Sequence, residues 1–203
     1  MKKEIPVTCL QRLPVYLNYL KSLKSTEGYI SSAAIARALG MGEVLVRKDL
    51  AYTPAQGRTR LGYNCAELIA ALEEYLGCNR TAPAVLFGAG GIGRALLSYG
   101  GFKNYGIEVV AAFDSDPAKN GTRIAEKPVY NPSEAREIIS ATGARLAVVC
   151  VPAHAAQGVC DILVDCGISA ILNFAPVLLK VPEGVVVRNI DVAANLAILS
   201  TQI

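Results

Sequence analysis

Between an apolar run at Ala84–Phe87 and a helical pattern that starts at Ile92 stands Gly88-Ala89-Gly90-Gly91-Ile92-Gly93. A G-x-G-x-x-G at a strand-to-helix junction gives each glycine a task. Gly88 permits a tight turn, Gly90 lets backbone approach a pyrophosphate, and Gly93 lets the helix pack close on the strand. The helix N-terminus then presents free N–H groups and a partial positive charge to phosphates. The next strand pattern, Val109–Phe113, ends in Asp114, 21 residues beyond Gly93. A carboxylate there accepts hydrogen bonds from the adenosine ribose hydroxyls and repels a 2′-phosphate, so the pattern points to NAD(H) rather than NADP(H). Asp114 can also cap the turn into Asp116-Pro117, and the two roles are compatible.

The chain around this motif alternates strand and helix. Strands are expected at Ala84–Phe87, Glu108–Phe113, Leu146–Val151, Ala170–Leu172 and Val185–Arg188. Helices are expected at Ile92–Tyr99, Pro132–Ala141, Ala155–Cys166 and Val192–Leu199. That order predicts an α/β, Rossmann-like doubly wound parallel sheet over residues 81–203. Val151-Pro152 closes a strand at the sheet edge where a nicotinamide would lie. His154 follows and is the obvious candidate for a dehydrogenase acid/base, against the plainer reading of a solvent-facing first-turn residue.

Before the breaker-rich stretch Gly77–Pro83 the periodicity is helical. Leu10, Leu13, Leu17, Leu20 and Leu23 predict one amphipathic helix, which Pro14 either starts or kinks. Ser31-Ser32 caps a helix at Ala33–Leu39, and after Gly40-Met41-Gly42 a second runs from Glu43 to about Tyr52. In it Val44, Leu45 and Leu50 are expected inward, leaving Arg47 and Lys48 exposed. Thr53–Tyr63, with Arg58 and Arg60 between glycines, reads as a cationic hairpin, and Ala66–Leu76 as a closing helix. Helix, tight turn, helix and hairpin predict a winged-helix (helix-turn-helix) domain over residues 1–80. Charge agrees in direction: residues 1–80 carry eleven basic and seven acidic side chains, the remainder nine and ten. Cations in a wing lie along phosphates or enter a minor groove.

Other classes are disfavoured. The six cysteines include no Cys-x-x-Cys, and the chain has one histidine, so no metal site is expected; buried free thiols are. No 18-residue apolar run occurs and no apolar region follows the N-terminal lysines, so a cytoplasmic protein is expected. In 203 residues little chain remains for a substrate domain. The cofactor is therefore read as a signal and the protein as no enzyme. A small NAD-dependent oxidoreductase using His154, and a regulatory module that contacts protein instead of DNA, stay open.

Several stretches carry a resemblance. They include Arg12-Leu13-Pro14-Val15-Tyr16, Val46-Arg47-Lys48-Asp49-Leu50, Leu61-Gly62-Tyr63-Asn64, Ala112–Pro117, Val151–Gln157, Ile171–Pro176 and Arg188-Asn189-Ile190-Asp191. With them the chain resembles the Rex family of redox-sensing transcriptional repressors over nearly its whole length. The resemblance implies a homodimer whose C-terminal helix, within 191–203, is swapped into the partner. It also implies a palindromic double-stranded operator held in the NAD⁺ or apo state and released when NADH binds. By matching positions it implies Arg47, Lys48, Arg58 and Arg60 on DNA. Gly88, Ala89, Gly90, Gly91, Ile92, Gly93, Asp114, Val151, Pro152 and Tyr99 would hold the cofactor. Arg12, Tyr99 and Asp191 of the partner subunit would form the switch relay. The chain departs from the family pattern at Ala51, where serine is usual, in Thr53–Gln56, at Gly91, where asparagine is common, and in its non-aromatic tail.

Overall fold

The computed structural model describes residues 5–203, so the lysine-bearing start at residues 1–4 lies outside the described residues. Two compact units divide between Arg80 and Thr81.

The first unit contains α1 (Val7–Lys21), β1 (Tyr29–Ile30), α2 (Ser32–Leu39), α3 (Glu43–Leu50), β2 (Tyr63–Asn64) and α4 (Cys65–Leu76). Helix α1 runs through Pro14, and Cys9, Leu13, Tyr16, Leu17 and Leu20 form its buried stripe. Leu10 stays exposed and Leu23 falls beyond the helix end. A proline inside a helix costs about 3 kcal/mol, and five buried side chains of this kind offset it at roughly 1.5–3 kcal/mol for each large one. Ser31 caps α2 by accepting from the Ala34 N–H, and Gly40 ends it in the left-handed region. In α3 the inward face is Val46, Asp49 and Leu50, whereas Val44 and Leu45 are exposed. The expected inward set is therefore corrected at those two positions. Helix α3 starts at Glu43 as expected, and its i, i+3, i+4 stripe of Val46, Asp49 and Leu50 turns inward because Asp49 is bonded to α1.

Asp49 is buried among four bonds. Arg12 donates to it twice, from Nε at 2.6 Å and Nη2 at 2.8 Å, and Tyr16 donates its hydroxyl at 2.6 Å. The Cys9 thiol donates to the Asp49 carbonyl. This clamp ties α1 to α3. Burial pushes the Asp49 carboxyl upward, but the bonds from Arg12, Tyr16 and Cys9 outweigh it and hold the group below the ordinary aspartate range. Burial and the neighbouring carboxylate push the Cys9 thiol up to about 12.

The expected hairpin within Thr53–Tyr63 has a different construction. Strand β2 pairs antiparallel with β1, not with a strand inside the loop. The loop closes on itself where Arg58 and Gly62 exchange backbone bonds of 2.7 and 2.9 Å. Gly62 is required: its φ is +91°, and a Cβ would stand 2.3 Å from the Ile30 carbonyl oxygen.

The second unit contains β3 (Ala82–Phe87), α5 (Gly91–Leu97), β4 (Ile107–Phe113), β5 (Arg123–Ile124), β6 (Lys127–Tyr130), α6 (Ala135–Thr142), β7 (Leu146–Val149), α7 (Ala153–Asp165), β8 (Ala170–Asn173), β9 (Val186–Asn189) and α8 (Val192–Ser200). Its sheet runs β5-β6-β4-β3-β7-β8-β9, parallel except for β5. Without the β5 edge, the order starts at the centre and is wound both ways, the doubly wound arrangement expected. Alternate residues of β3 face opposite cores. Val85 and Phe87 pack with Ile139 of α6 and Leu163 of α7, while Ala84 and Leu86 pack with Leu97 of α5. Phe87 stacks on Phe113 with ring centroids 4.5 Å apart. The β5–β6 hairpin is an addition to the expected elements. Lys127-Pro128-Val129-Tyr130 is too short and polar to announce a strand, and the hairpin turns through Ala125 and Glu126, both with positive φ.

Asn173 lies fully buried at the end of β8. Its amide nitrogen donates to the carbonyls of Ala175 and Val177 and to Asn189 Oδ1, and its oxygen accepts from the Ala175 N–H. One side chain thus joins the β8 loop to β9. Helix α8 is different: Val192, Leu196, Ile198 and Leu199 are all exposed, and no residue of the helix is buried. Among the described residues no helix is long and apolar enough to cross a membrane.

The two buried hubs set the stability expectations. Asn173→Ala strands three acceptors and one donor and is expected to destabilise the protein by about 2–4 kcal/mol, read as a lower melting temperature by circular dichroism. Asp49→Asn is expected to lose about 2–4 kcal/mol at pH 7, because it removes the charge facing Arg12. The folded pKa of Asp49 is depressed. Its stabilisation is therefore full above the unfolded value of about 3.9 and is lost as pH falls through the folded value. In urea unfolding, the gap between wild type and Asp49→Asn should be wide at pH 7 and narrow by pH 3; a gap independent of pH counts against this account.

Candidate functional site

Each of the two expected sites falls within one unit. In the second unit a cavity of about 620 Å³ opens at the carboxyl ends of the strands. Gly88, Gly90 and Ile92 line it from the glycine loop, Asp114 and Lys119 from beyond β4, Val151 and Pro152 from beyond β7, and Phe174 and Pro176 from beyond β8. It straddles β3 and β7, which are neighbours in the sheet. The segments after those two strands leave toward opposite faces, α5 to one core and α7 to the other. Ligands of open α/β sheets lie at such a switch point.

Gly88 and Gly93 perform the turn and packing tasks assigned to them. Gly88 has φ +96°, and a Cβ there would meet the Cys150 carbonyl oxygen at 2.6 Å. At Gly93 a Cβ would stand 1.9 Å from the Gly88 carbonyl oxygen, so α5 sits on the loop backbone itself. Gly90 and Gly91 face open space. Room remains for a phosphate at Gly90, and nothing steric requires glycine at 91.

Asp114 is bonded within the protein. Oδ2 accepts from the Ala89 N–H at 2.8 Å and from the Lys119 ammonium at 2.9 Å, and Oδ1 accepts from the Asp116 N–H at 2.9 Å. Burial pushes its carboxyl upward, but these bonds win and hold it below the usual range. The turn-capping role is thus present, and the carboxylate also borders the cavity. Ala89 is buried, and its N–H points at Asp114. His154 lies on the cavity wall at the second residue of α7. Cys150 lines it too, with its thiol pushed by burial to about 12. Tyr99 does not line the cavity. It lies past α5, 60 % exposed, edge-on to Phe102 and over Gly101. Asp191 caps α8 by accepting from the Ala194 N–H. Sequence reasoning missed Lys119, Phe174 and Pro176 as cavity residues. Phe174 and Pro176 belong to a stretch that signals only the family resemblance, and Lys119 carries no periodic signal.

In the first unit Arg47 and Lys48 are exposed on α3, and Arg58 and Arg60 are exposed on the loop. The Arg58 guanidinium lies 5.3 Å from the centre of the Tyr29 ring, which presents the loop cation over β1. Arg60 holds a positive φ of 67° at the loop tip. The third relay residue, Arg12, is engaged by Asp49 through Nε and Nη2, which leaves the two Nη1 hydrogens and the second Nη2 hydrogen as further donors. Among the described residues no cluster of three His, Cys, Asp or Glu side chains could hold a metal ion, and all six cysteines are free thiols.

Comparison with known proteins agrees across both units. A family model described as a putative DNA-binding protein N-terminus matches residues 4–51, and a CoA binding domain model matches residues 79–177. The chain is similar to the redox-sensing transcriptional repressor Rex of Porphyromonas gingivalis, 41 % identical over 198 residues that cover 97 % of this chain and 90 % of that one. It is 40 % identical to the Rex repressor of Pelotomaculum thermopropionicum over 198 residues, covering 97 % and 93 %. Among solved structures it matches RSP, a Rex-family repressor, in complex with β-NAD⁺ and operator DNA. The TM-score is 0.92 at 31 % identity, covering 99 % of this chain and 93 % of that one. RSP with β-NADH gives a TM-score of 0.87 at the same identity, covering 99 % and 95 %. A winged-helix unit, a doubly wound unit and whole-length identity lead to one conclusion: the chain belongs to the Rex family of redox-sensing transcriptional repressors.

Proposed function

We propose that this protein is a dimeric transcriptional repressor that binds a palindromic operator and releases it when NADH occupies the cavity beside Asp114. One observation carries the reading: a single chain joins a cavity at the switch point of a doubly wound sheet to a helix-turn-helix unit with exposed cations on α3 and its loop. RSP, similar over 99 % of this chain, has been solved with operator DNA and β-NAD⁺ and with β-NADH. The cytoplasm is the compartment where such a regulator meets both ligands.

The chemistry follows from the residues. Arg47, Lys48, Arg58 and Arg60 neutralise phosphates and release counterions, so affinity falls as salt rises. Open backbone at Gly90 and Gly91 receives the pyrophosphate, and Asp114 with its neighbours meets the adenosine ribose. Oxidised and reduced nicotinamide differ by one positive charge. The wall made by Val151, Pro152, Phe174 and Pro176 is apolar and favours the neutral reduced ring. Such a difference in binding is what shifts a two-state protein. The exposed apolar helix α8 requires a cover, which a second copy of the chain supplies. In the relay, Asp191 of the partner subunit would reach the guanidinium donors that Asp49 leaves on Arg12, and Tyr99 would exchange with it. Reading His154 as a dehydrogenase acid/base gives way, because the relatives are repressors.

Fluorescence anisotropy of an operator duplex tests the proposal. Saturating NADH should weaken DNA binding by about five- to 150-fold, as a coupling of roughly 1–3 kcal/mol requires, with NAD⁺ having little effect; an operator affinity indifferent to NADH would falsify it. Arg47→Ala with Arg58→Ala should weaken binding on every sequence. It should also make the plot of log affinity against log salt shallower by about one for each phosphate that is no longer neutralised. Leu196→Asp with Leu199→Asp should turn the dimer into monomer in analytical ultracentrifugation.

A further inference from the structure

Asp114 does not face the cavity as an isolated charge. Three of its roughly four acceptor directions are taken, by the Ala89 and Asp116 N–H groups and by Lys119. Lys119 lines the same cavity, its side chain 22 % exposed, with its ammonium 2.9 Å from Asp114 and 3.7 Å from the half-exposed Asp116. A lone carboxylate would exclude a ribose 2′-phosphate by like-charge repulsion. Here a cation lies 2.9 Å away, and the pair together is close to neutral. Exclusion of the phosphate therefore depends on Asp114 keeping that cation engaged, as much as on the repulsion it exerts.

We infer that Lys119 is a specificity-determining residue of the cavity: a latent receptor for a ribose 2′-phosphate that the ion pair with Asp114 holds in check. The inference rests on the proposed function, in which Asp114 meets the adenosine ribose. Its consequence runs against the simpler view of a repelling aspartate. If Asp114 only repelled, neutralising it would relax the choice between NADH and NADPH and Lys119 would be irrelevant. With Asp114 neutralised, Lys119 keeps only the half-exposed Asp116 at 3.7 Å, its ammonium has donors for phosphate oxygens, and the preference should invert.

Calorimetric titration of NADH and NADPH into the full chain decides between these views, using wild type, D114N, D114S, K119M and D114N/K119M. D114S repeats the test with a smaller side chain, and circular dichroism melts confirm that each variant folds. Wild type is expected to prefer NADH. D114N and D114S should bind NADPH at least about tenfold more tightly than wild type does, the effect of one added charge-assisted hydrogen bond. Adding K119M to D114N should remove that gain, and K119M alone should widen the wild-type preference for NADH. If NADH binding weakens in D114N and D114S while K119M leaves NADPH binding by D114N unchanged, the inference falls and the ribose placement stands. If D114N and D114S leave NADH affinity unaltered, or wild type binds no NADH, the ribose placement falls and the inference with it.

Discussion

Backbone contact between Gly93 and Gly88 organises the second unit. With a Cβ position 1.9 Å from a carbonyl oxygen, α5 and the loop leaving β3 meet with no side chain between them. Gly88 meets the Cys150 carbonyl, just beyond β7, almost as closely. Two parallel strands, a helix and a loop are thereby locked at one point of the sheet edge. The open positions, Gly90 and Gly91, are left on the cavity side of that point. Helix and loop could not be separated by even a methyl group without shifting the floor of the cavity. The glycines are therefore a packing requirement first, and the space for a phosphate follows from it.

Each unit also contains one buried aspartate whose carboxylate accepts three bonds. Asp49 joins α1 to α3 through Arg12 and Tyr16, and Asp114 joins the end of β4 to the glycine loop through Ala89 and to the following turn through Asp116 and Lys119. A buried ion pair is a weak source of net stability, because desolvation consumes much of the attraction. Geometry is what these pairs supply. The residues flanking Asp49 are Lys48, which is exposed, and Leu50, which is buried, so the clamp sets the rotation of α3 about its axis. That rotation decides which side chains α3 presents. Asp114 likewise fixes both the loop and the cation beside the cavity.

Sequence reading recovered what periodicity and glycine chemistry encode. The order of strands and helices in the second unit, the helix-turn-helix with its Ser31 and Gly40 caps, and the tasks of Gly88 and Gly93 are all local properties. What it missed depends on tertiary position. Val44 and Leu45 are apolar yet exposed, because the inward face of α3 is set by the bonds of Asp49 to α1. The strand Lys127–Tyr130 is specified by a parallel neighbour, β4, and not by its own composition. Lys119 belongs to the cavity only because the turn after Asp114 folds back on it. The bonds that hold Arg12 were invisible as well, since Asp49 lies 37 residues away in sequence.

The span of the cavity bears on why such a site senses and does not catalyse. It reaches from the end of β4 to the end of β8, three inter-strand spacings or about 14 Å, so a dinucleotide lying along it would meet different chemistry at its two ends. At the β4 end the lining charges, Asp114 and Lys119, neutralise each other. Toward β8 the wall is Val151, Pro152, Phe174 and Pro176. Adenosine contacts are the same for oxidised and reduced cofactor, so they set affinity without discriminating. In the proposed placement only the far end would see the ring charge, and an apolar wall there would penalise the charged form. A coupling of roughly 1–3 kcal/mol suffices to move affinity by one or two orders of magnitude. Catalysis would require groups aimed at a transition state; a switch requires only that one end of the cavity distinguish two ground states while the other end holds both.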